Sequence, residues 1–128
     1  MMLNLNPEIV CTLIERAREF HAKEGVSLPE EPMASHDIVA DVLSDYQEDP
    51  TFQEFKSTVD DLEPDQQVAL VALMWIGRGD FDASEWNAAF RQAGEEWTPH
   101  TAEYLLTTPL VADYLEEGLA ALGYLCGD

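Results

Sequence analysis

Basic residues are scarce in this chain of 128 residues. Six lysines and arginines are outnumbered by 26 aspartates and glutamates, which gives a formal net charge of −20 with the histidines neutral. A surface this anionic repels the phosphates of nucleic acids and the headgroups of anionic membranes. We therefore expect neither nucleic acid nor membrane as a partner, and we expect any partner protein to present a cationic or apolar surface.

Cysteines, export signals and long apolar runs are also few or absent. Cys11 and Cys126 form no Cys-x-x-Cys spacing, and residues 1–6 have neither a basic start nor an apolar stretch of signal-peptide length. The longest apolar run, residues 68–76, is far shorter than the roughly 20 residues that span a bilayer. These features predict a cytoplasmic protein with two separate, reduced thiols, which lie near each other if the first and last helices pack antiparallel.

Motifs that carry chemistry are missing as well. The three histidines form no His-Glu-x-x-His or Glu-x-x-His spacing, and there is no Gly-x-Ser-x-Gly elbow, phosphate loop or dinucleotide fingerprint. Residues 80–84 open like a calcium loop, but Glu85 and Arg91 stand where that loop requires glycine and a bidentate glutamate. His100 and Glu103, one turn apart, are predicted to form a surface pair. We predict no catalytic residue, no metal site and no cofactor, and the pattern favours a protein that is not an enzyme.

The most prominent feature that is present is the apolar run at 68–76, Val-Ala-Leu-Val-Ala-Leu-Met-Trp-Ile. Pro64 suits a first helical turn, acidic residues surround it, and Gly77 offers a left-handed stop, so we predict a helix over 64–76. Because this helix is apolar on every side over its second half, other helices must surround it. We expect Trp75 to be fully buried. The other predicted core residues include Phe52, Leu70, Leu73, Phe90 and Leu115.

Five of the seven prolines, at positions 7, 50, 64, 99 and 109, stand where a helix is predicted to begin. Ser35 and the capping box at 82–85 open two further helices. The last helix is predicted to turn Leu110 inward. Residues 26–34 are predicted to be an irregular loop, and residues 124–128 a tail. The fold class is therefore all-α: one domain over 1–128, a compact orthogonal array of about seven short helices around the central helix.

Several blocks of the sequence are similar to one family. They are Ala-Arg-Glu-Phe at 17–20, Asp-Gln-Gln at 65–67 continuing to Trp-Ile-Gly-Arg-Gly-Asp at 75–80, Thr-Ala-Glu-Tyr-Leu-Leu at 101–106 and Asp-Tyr-Leu-Glu-Glu-Gly-Leu at 113–119. In these blocks the chain resembles the bacterial family of unknown function numbered 3775. The resemblance covers nearly the whole chain and implies a small bacterial protein. It implies no activity, because that family has none assigned, so the roles of residues rest on their chemistry.

Arg78 is one of the few basic residues and lies between two glycines at the end of the central helix. Its guanidinium can lock the turn by bonding the last helical carbonyls or a nearby carboxylate. The functional alternative is that Arg78 and Asp80 form a contact for an anion or a partner, with the glycines allowing close approach. The Arg-Gly-Asp tripeptide at 78–80 has no adhesive meaning in an acidic chain without a secretion signal. We favour the structural role and keep both residues as candidates.

Three functions are compatible with these features. The favoured one is a non-catalytic helical protein that acts through protein–protein contacts in the bacterial cytoplasm. The first alternative is a small-ligand binder or enzyme with a pocket near Arg78. The second is an acidic mimic of nucleic acid, which requires carboxylates spaced along one face like phosphates. Trp75, Trp86 and Trp97 recur every eleven residues, and we interpret them as core or boundary packing rather than as a ligand box.

Overall fold

The computed structural model describes residues 4–22 and 48–126 of the chain. All regular structure in these residues is helical, which confirms the predicted all-α class. The helices are α1 Pro7–Ala22, α2 Pro50–Asp60, α3 Pro64–Arg78, α4 Trp86–Glu95, α5 Thr101–Leu106 and α6 Val111–Ala121, with a 3-10 turn at Ala83–Glu85 before α4. The predicted loop 26–34 and the helix predicted to begin at Ser35 lie outside the described residues.

Helix α3 is the centre of the fold, as its apolar sequence predicts. Ten consecutive residues, 67–76, are buried, and the helix packs mainly against α6 and α4. Trp75 is only 5% exposed, and the core residues predicted on α2, α3 and α6 are all buried. None of the described helices has the length and apolar character needed to cross a lipid bilayer.

Helix α3 continues to Arg78, so the predicted stop at Gly77 is wrong. The stop is Gly79, whose backbone adopts a left-handed φ of 94° and whose N–H donates to the carbonyl of Ile76. Gly77 lies inside the helix for another reason. A Cβ at Gly77 would overlap the backbone carbonyl of Tyr114 on α6, so the glycine is what lets the two helix backbones approach. Gly118 of α6 has the same relation to the carbonyl of Leu73 on α3.

Two residues expected in the core lie elsewhere. Phe90 is only half-buried, because α4 turns Trp86, Ala89 and Ala93 towards the core instead. Leu110 is 58% exposed and has a left-handed φ of 64°, since it ends the turn before α6 and does not belong to the apolar face of that helix. The prediction extends the apolar periodicity of α6 back to Leu110, which belongs to the preceding turn and not to the helix.

The predicted helix starts agree with the hydrogen bonds at three positions. The side chain of Asp49 accepts a hydrogen bond from the Phe52 backbone N–H at 3.0 Å and caps α2. The backbone N–H of Glu63 donates to the side chain of Gln66 at 3.0 Å, at the start of α3. The Asp82 N–H donates to Glu85 at 2.8 Å, and this capping box opens the 3-10 turn that leads into α4.

Cys11 and Cys126 form a disulfide, which overturns the prediction of two separate thiols. Helix α1 packs against α6, and after α6 the chain turns back, with the Tyr124 N–H donating to the carbonyl of Leu119 at 2.8 Å. The cysteine Cα atoms are thereby 5.6 Å apart, within bonding range. The predicted closeness of the two cysteines was right. The error came from inferring a reducing compartment from the lack of signals and of Cys-x-x-Cys spacing.

Candidate functional site

The predicted site residues Arg78 and Asp80 pair with each other. Nε and Nη2 of Arg78 donate to the same carboxylate oxygen of Asp80, at 2.9 and 2.6 Å. Burial is the largest single effect and lowers the pKa of Arg78, but the hydrogen bond and charge of Asp80 together with the interactions of Tyr104 more than offset it, so the net shift is upward. The guanidinium therefore stays charged and ties the loop to the end of α3. Of the two structural roles expected for Arg78, the structure shows the bond to a nearby carboxylate. A contact of Arg78 and Asp80 with an anion or a partner stays a prediction.

The Arg78–Asp80 turn lies against an aromatic cluster. The indole Nε1 of Trp75 donates to the hydroxyl of Tyr104 at 3.2 Å, and both side chains are buried. The same hydroxyl interacts with the Arg78 guanidinium and contributes to its raised pKa. Phe81, just beyond the turn, stacks on Trp75 with ring centroids 6.0 Å apart. The end of α3 is thus fixed by both polar and aromatic contacts.

A cleft opens next to this cluster, between α3, α4 and α5. Its free volume is about 10 Å³, which is room for about one water molecule. Hydrophobic and aromatic side chains form most of its wall. The residues that line it are Val68, Val71, Trp75, Ala93, Glu96, Trp97, Thr101 and Tyr104. Among these described lining residues none is basic, and one, Glu96, is acidic. We call this feature the Trp97 cleft.

Trp97 is held at the mouth of the cleft by a buried amide. Trp97 is 38% exposed, and its indole Nε1 donates to Oε1 of Gln67 at 2.7 Å. Gln67 is buried, and its Nε2 donates to the backbone carbonyls of Val59 at 2.9 Å and Leu62 at 3.3 Å. Because both ends of the amide are bonded, its orientation is fixed, and so is the direction of the indole N–H. The result is an exposed indole whose orientation is already fixed before any partner binds.

The rim of the cleft is negatively charged. Glu95 and Glu96 are exposed at the C-terminal end of α4, and no basic residue lies in the last turn of that helix. The carbonyl end of a helix already carries partial negative charge, so two glutamates there are mutually unfavourable. Gln92 donates one hydrogen bond to Glu96 at 3.2 Å but adds no charge. A cation that approached this rim would be attracted by the side chains and by the helix end.

Four of the five basic residues in the described part of the chain are paired with carboxylates. Arg16 pairs with Glu15, Glu19 and Glu54, Arg18 with Asp113 and Glu116, Lys56 with Asp60 and Glu103, and Arg78 with Asp80. Their positive charges are therefore compensated locally. The remaining exposed carboxylates dominate the surface, as the net charge predicts.

The predicted pair of His100 and Glu103 forms, but Glu103 is buried rather than at the surface. Its Oε2 lies 3.7 Å from both Lys56 Nζ and His100 Nδ1, while its Oε1 is buried with no hydrogen-bond partner among the described residues. The pKa of Lys56 is raised above its ordinary value, mainly by the hydrogen bond to Asp60. In the described ranges, no three His, Cys, Asp or Glu side chains are arranged to hold a metal ion.

Sequence reasoning placed Trp97 correctly at the boundary of the core but did not identify it as part of a site. Trp75 and Trp86 are buried and Trp97 is the exposed one of the three. The missed feature is the amide of Gln67, which is the one side-chain amide in an otherwise apolar stretch. A polar residue at the start of a buried run was the available signal, since buried amides need partners.

Comparison with known proteins gave a match to a family model. The family model described as protein of unknown function (DUF3775) matches residues 52–124, which is more than half of the chain but not nearly the whole of it, and the block at 17–20 lies outside the match. The match contains α3 to α6 and every residue that lines the Trp97 cleft. No curated protein and no solved structure matches the chain.

Proposed function

This chain belongs to the DUF3775 family of proteins of unknown function, and we propose that it is a non-catalytic helical protein of the bacterial cytoplasm that acts by binding another protein. The observation that carries the proposal is the exposed Trp97 indole, held by the fully bonded amide of Gln67. An aromatic side chain that is already ordered loses little conformational entropy when a partner covers it. Tryptophan next to an apolar pocket is typical of residues that dominate interface energies.

The size of the Trp97 cleft favours a protein partner over a small ligand. Its free volume is about 10 Å³, room for about one water molecule, whereas pockets for drug-sized ligands begin at roughly 300 Å³. A partner would therefore cover the exposed indole of Trp97 at the surface rather than insert a group into the cleft. The anionic surface around it favours a partner with cationic or apolar residues.

The proposal is tested by site-specific photo-crosslinking in the native cell. A photoreactive amino acid replaces Gln92, which is exposed on α4 and bonded to the rim residue Glu96. The matched control carries it at Glu117, an exposed position on α6. We expect a partner adduct from position 92 and none from position 117. The adduct should disappear in the Trp97→Ala background and persist with Leu125→Ala, which removes another exposed large apolar residue.

Two results would contradict a protein contact at this cleft. One is an adduct from position 92 that persists in full after Trp97→Ala. The other is equal capture from positions 92 and 117, which would indicate general stickiness of an anionic surface. Melting curves of both alanine variants are needed beside the crosslinks, because loss of capture is informative only if the protein stays folded.

The cytoplasmic location is part of the proposal and rests on the sequence. The Cys11–Cys126 disulfide is the observation that opposes it, because cytoplasmic thiols are normally kept reduced. Cell fractionation tests the location independently of the disulfide. Recovery of the protein with cytoplasmic markers supports the cytoplasm, and recovery in a non-cytoplasmic fraction excludes it.

A second candidate is a small-ligand binder or enzyme with its pocket near Arg78. The specific observation in its favour is that the Trp97 cleft extends to Trp75 and Tyr104, and Tyr104 interacts with Arg78. A thermal-shift screen of small anions and apolar compounds tests this candidate. A stabilising compound whose effect survives Trp97→Ala but is lost in Arg78→Gln would favour it over the protein contact.

A further inference from the structure

We propose that the protein has a separate binding pocket, between the C-terminal end of α1 and the start of α6, that takes a small aliphatic amine in its ammonium form. This pocket shares no lining residue with the Trp97 cleft among the described residues, so the inference does not rest on the proposed function. It commits to a free ligand that joins one ammonium group to a short hydrocarbon chain, rather than to an anion or a neutral alcohol.

The pocket between α1 and α6 has room for a small ligand. Its free volume is about 290 Å³, against about 10 Å³ in the Trp97 cleft, and ligand pockets begin at roughly 300 Å³. A space of this size holds several water molecules that a ligand can displace. The described residues that line it are Arg18, His21, Ala22, Leu110, Ala112 and Asp113.

Leu110 gives the pocket an apolar wall at a cost in stability. Its backbone is held at a left-handed φ of 64°, a conformation that favours glycine over leucine. Because its side chain is 58% exposed, core packing compensates little of this cost. Residues in unfavourable backbone conformations cluster at binding sites. Together with the methyl groups of Ala22 and Ala112, the Leu110 side chain offers hydrocarbon that a ligand can cover.

The charges around the pocket favour a cation over an anion. Nη2 of Arg18 donates to Oδ1 of Asp113 and to Oε1 of Glu116, both at 3.1 Å, so one positive and two negative charges leave a net charge of −1. The pKa of Arg18 is raised, mainly by the hydrogen bond to Asp113, and the guanidinium stays charged. An anion would be repelled by this group and by the net charge of −20 of the chain, whereas both attract a cation.

Two polar groups of the wall can accept hydrogen bonds from an ammonium group. The carboxylate of Asp113 receives Arg18 on Oδ1, and its other oxygen has no hydrogen-bond partner among the described residues. Nε2 of His21 lies 2.8 Å from the carbonyl oxygen of Leu106, which can only accept, so Nε2 carries the hydrogen. In the neutral imidazole Nδ1 is therefore an acceptor. An ammonium group has three N–H donors and can use either acceptor or both.

The test titrates ¹⁵N-labelled protein with a homologous series of amines. The backbone amide signal of Ala112 reports on the pocket, because this residue lines it. Butyl-, pentyl- and hexylammonium chloride are compared with hexanol and sodium hexanoate at equal ionic strength. We expect the affinity to rise about threefold with each added methylene, since each methylene covers apolar wall. Hexanol should bind at least about fivefold more weakly than hexylammonium, because it lacks the charge-assisted hydrogen bond, and hexanoate should not bind.

Three variants separate the walls of the pocket from the general charge of the protein. Leu110→Gly removes the exposed hydrocarbon and should weaken hexylammonium binding at least about fivefold, while the fold is kept because glycine accepts a left-handed φ. Asp113→Asn removes one charge of the wall and leaves Arg18 bonded to Glu116, and it should weaken binding about fivefold. Glu117→Gln is the matched control, since Glu117 is exposed on α6 but does not line the pocket. It should change binding by less than about twofold.

Several outcomes would overturn the inference. Hexanoate that binds as tightly as hexylammonium would contradict the charge argument, and an affinity independent of chain length would mean that the hydrocarbon wall is not used. Equal effects of Asp113→Asn and Glu117→Gln would show that only the net charge of the protein attracts the amine. Undiminished binding to Leu110→Gly would place the amine outside this pocket.

Two further results separate this inference from a contact with a protein. A Gly/Ser peptide with a single lysine that binds more tightly than hexylammonium would make the pocket a protein contact and would also overturn the small-amine ligand. Photo-crosslinking at position 92 reports on Trp97 and not on this pocket. The proposed function therefore stands or falls by the crosslinking experiment, and the amine site by the titrations.

Discussion

The close approach of α3 and α6 gives a sharp quantitative test of the structure. Gly77 of α3 lies where a Cβ would be 2.6 Å from the carbonyl carbon of Tyr114 and 2.9 Å from the backbone nitrogen of Gly118. Ordinary contact begins at 3.4 Å. The carbonyl carbon alone requires the two helices to separate by about 0.8 Å, and the Tyr114 carbonyl oxygen, which would be nearer still, requires more. The neighbours are backbone atoms, which cannot rotate away as the end of a flexible side chain would.

The expected cost of Gly77→Ala follows from this separation. A gap of 0.5–1 Å removes roughly a quarter to a half of the dispersion attraction between facing atoms, and forced overpacking typically costs about 1–3 kcal/mol. We place Gly77→Ala at the upper end, because α3 and α6 form the most extensive helix pair in the described structure. Alanine returns up to about 1 kcal/mol through its better helix propensity. The free energy of unfolding should therefore fall by about 2–3 kcal/mol.

Gly94→Ala is the matched control. Gly94 lies in α4, and the nearest atom to a Cβ there is Val68 Cγ1 at 3.9 Å, which is ordinary contact. With no clash to offset the gain in helix propensity, this variant should be more stable than the parent by about 0.5–1 kcal/mol. Urea unfolding followed by circular dichroism measures both free energies. A Gly77→Ala protein as stable as the parent, or two variants that shift in the same direction, would refute the predicted packing of α3 on α6.

Four further predictions use other features of the structure. Reduction of the Cys11–Cys126 disulfide should lower the free energy of unfolding by up to about 5 kcal/mol, since a loop of 115 residues no longer restricts the unfolded chain. Thiol titration of the denatured, unreduced protein should find no free thiol, and finding two would refute the bond. The pKa of Lys56 is raised from 10.5, chiefly by its hydrogen bond to Asp60, so the stability that this charged pair contributes is complete below pH 10.5 and is lost as the pH rises through the raised pKa. The difference in melting temperature between the parent and Lys56→Met should therefore be constant between about pH 7 and 9 and shrink above about 10.5. Leu110→Gly should raise the free energy of unfolding by about 0.5–1 kcal/mol in urea titrations, because an exposed leucine is held at a φ of 64°; a loss would mean that this leucine contributes packing. Added sodium chloride should raise the melting temperature, because screening weakens the repulsion of a net charge of −20; a falling curve would mean that attractive ion pairs outweigh it.

Local sequence patterns were sufficient to predict most helices and much of the core. Pro7, Pro50 and Pro64 begin helices as predicted, whereas α5 and α6 begin two residues after Pro99 and Pro109. The apolar stripes of α1 and α2 turn inward as their periodicity requires, and the apolar run of α3 is buried on all sides. The pattern failed at Gly77 because the role of that glycine is set by a backbone carbonyl 37 positions away, at Tyr114. It failed at Leu110 because a turn, not a helix, decides the direction of that side chain. Both errors concern tertiary geometry that periodicity does not contain.

The features of the candidate site also fall into those that local sequence predicts and those that depend on the packing of distant residues. The pairing of Arg78 with a carboxylate was predictable, since Asp80 is two residues away. The position of Trp97 was not, because its partner Gln67 lies 30 residues earlier in the chain. Cys11 and Cys126 show a third case, in which helix order predicted closeness and an inference about the cellular compartment predicted the wrong oxidation state. Chemistry between distant positions needs the packing of the helices before it can be inferred.

Gln67 connects the core to the proposed interface. The amide joins the end of α2, through the carbonyls of Val59 and Leu62, to the indole of Trp97. An apolar residue in its place would leave these groups without that partner, so the amide stabilises the fold and orients the indole at once. Places where a sequence departs from the simplest stable pattern are the places where function is most often found. The departure at Gln67 fixes the one exposed tryptophan beside the cleft, which is why we place the partner contact there rather than at the Arg78–Asp80 turn.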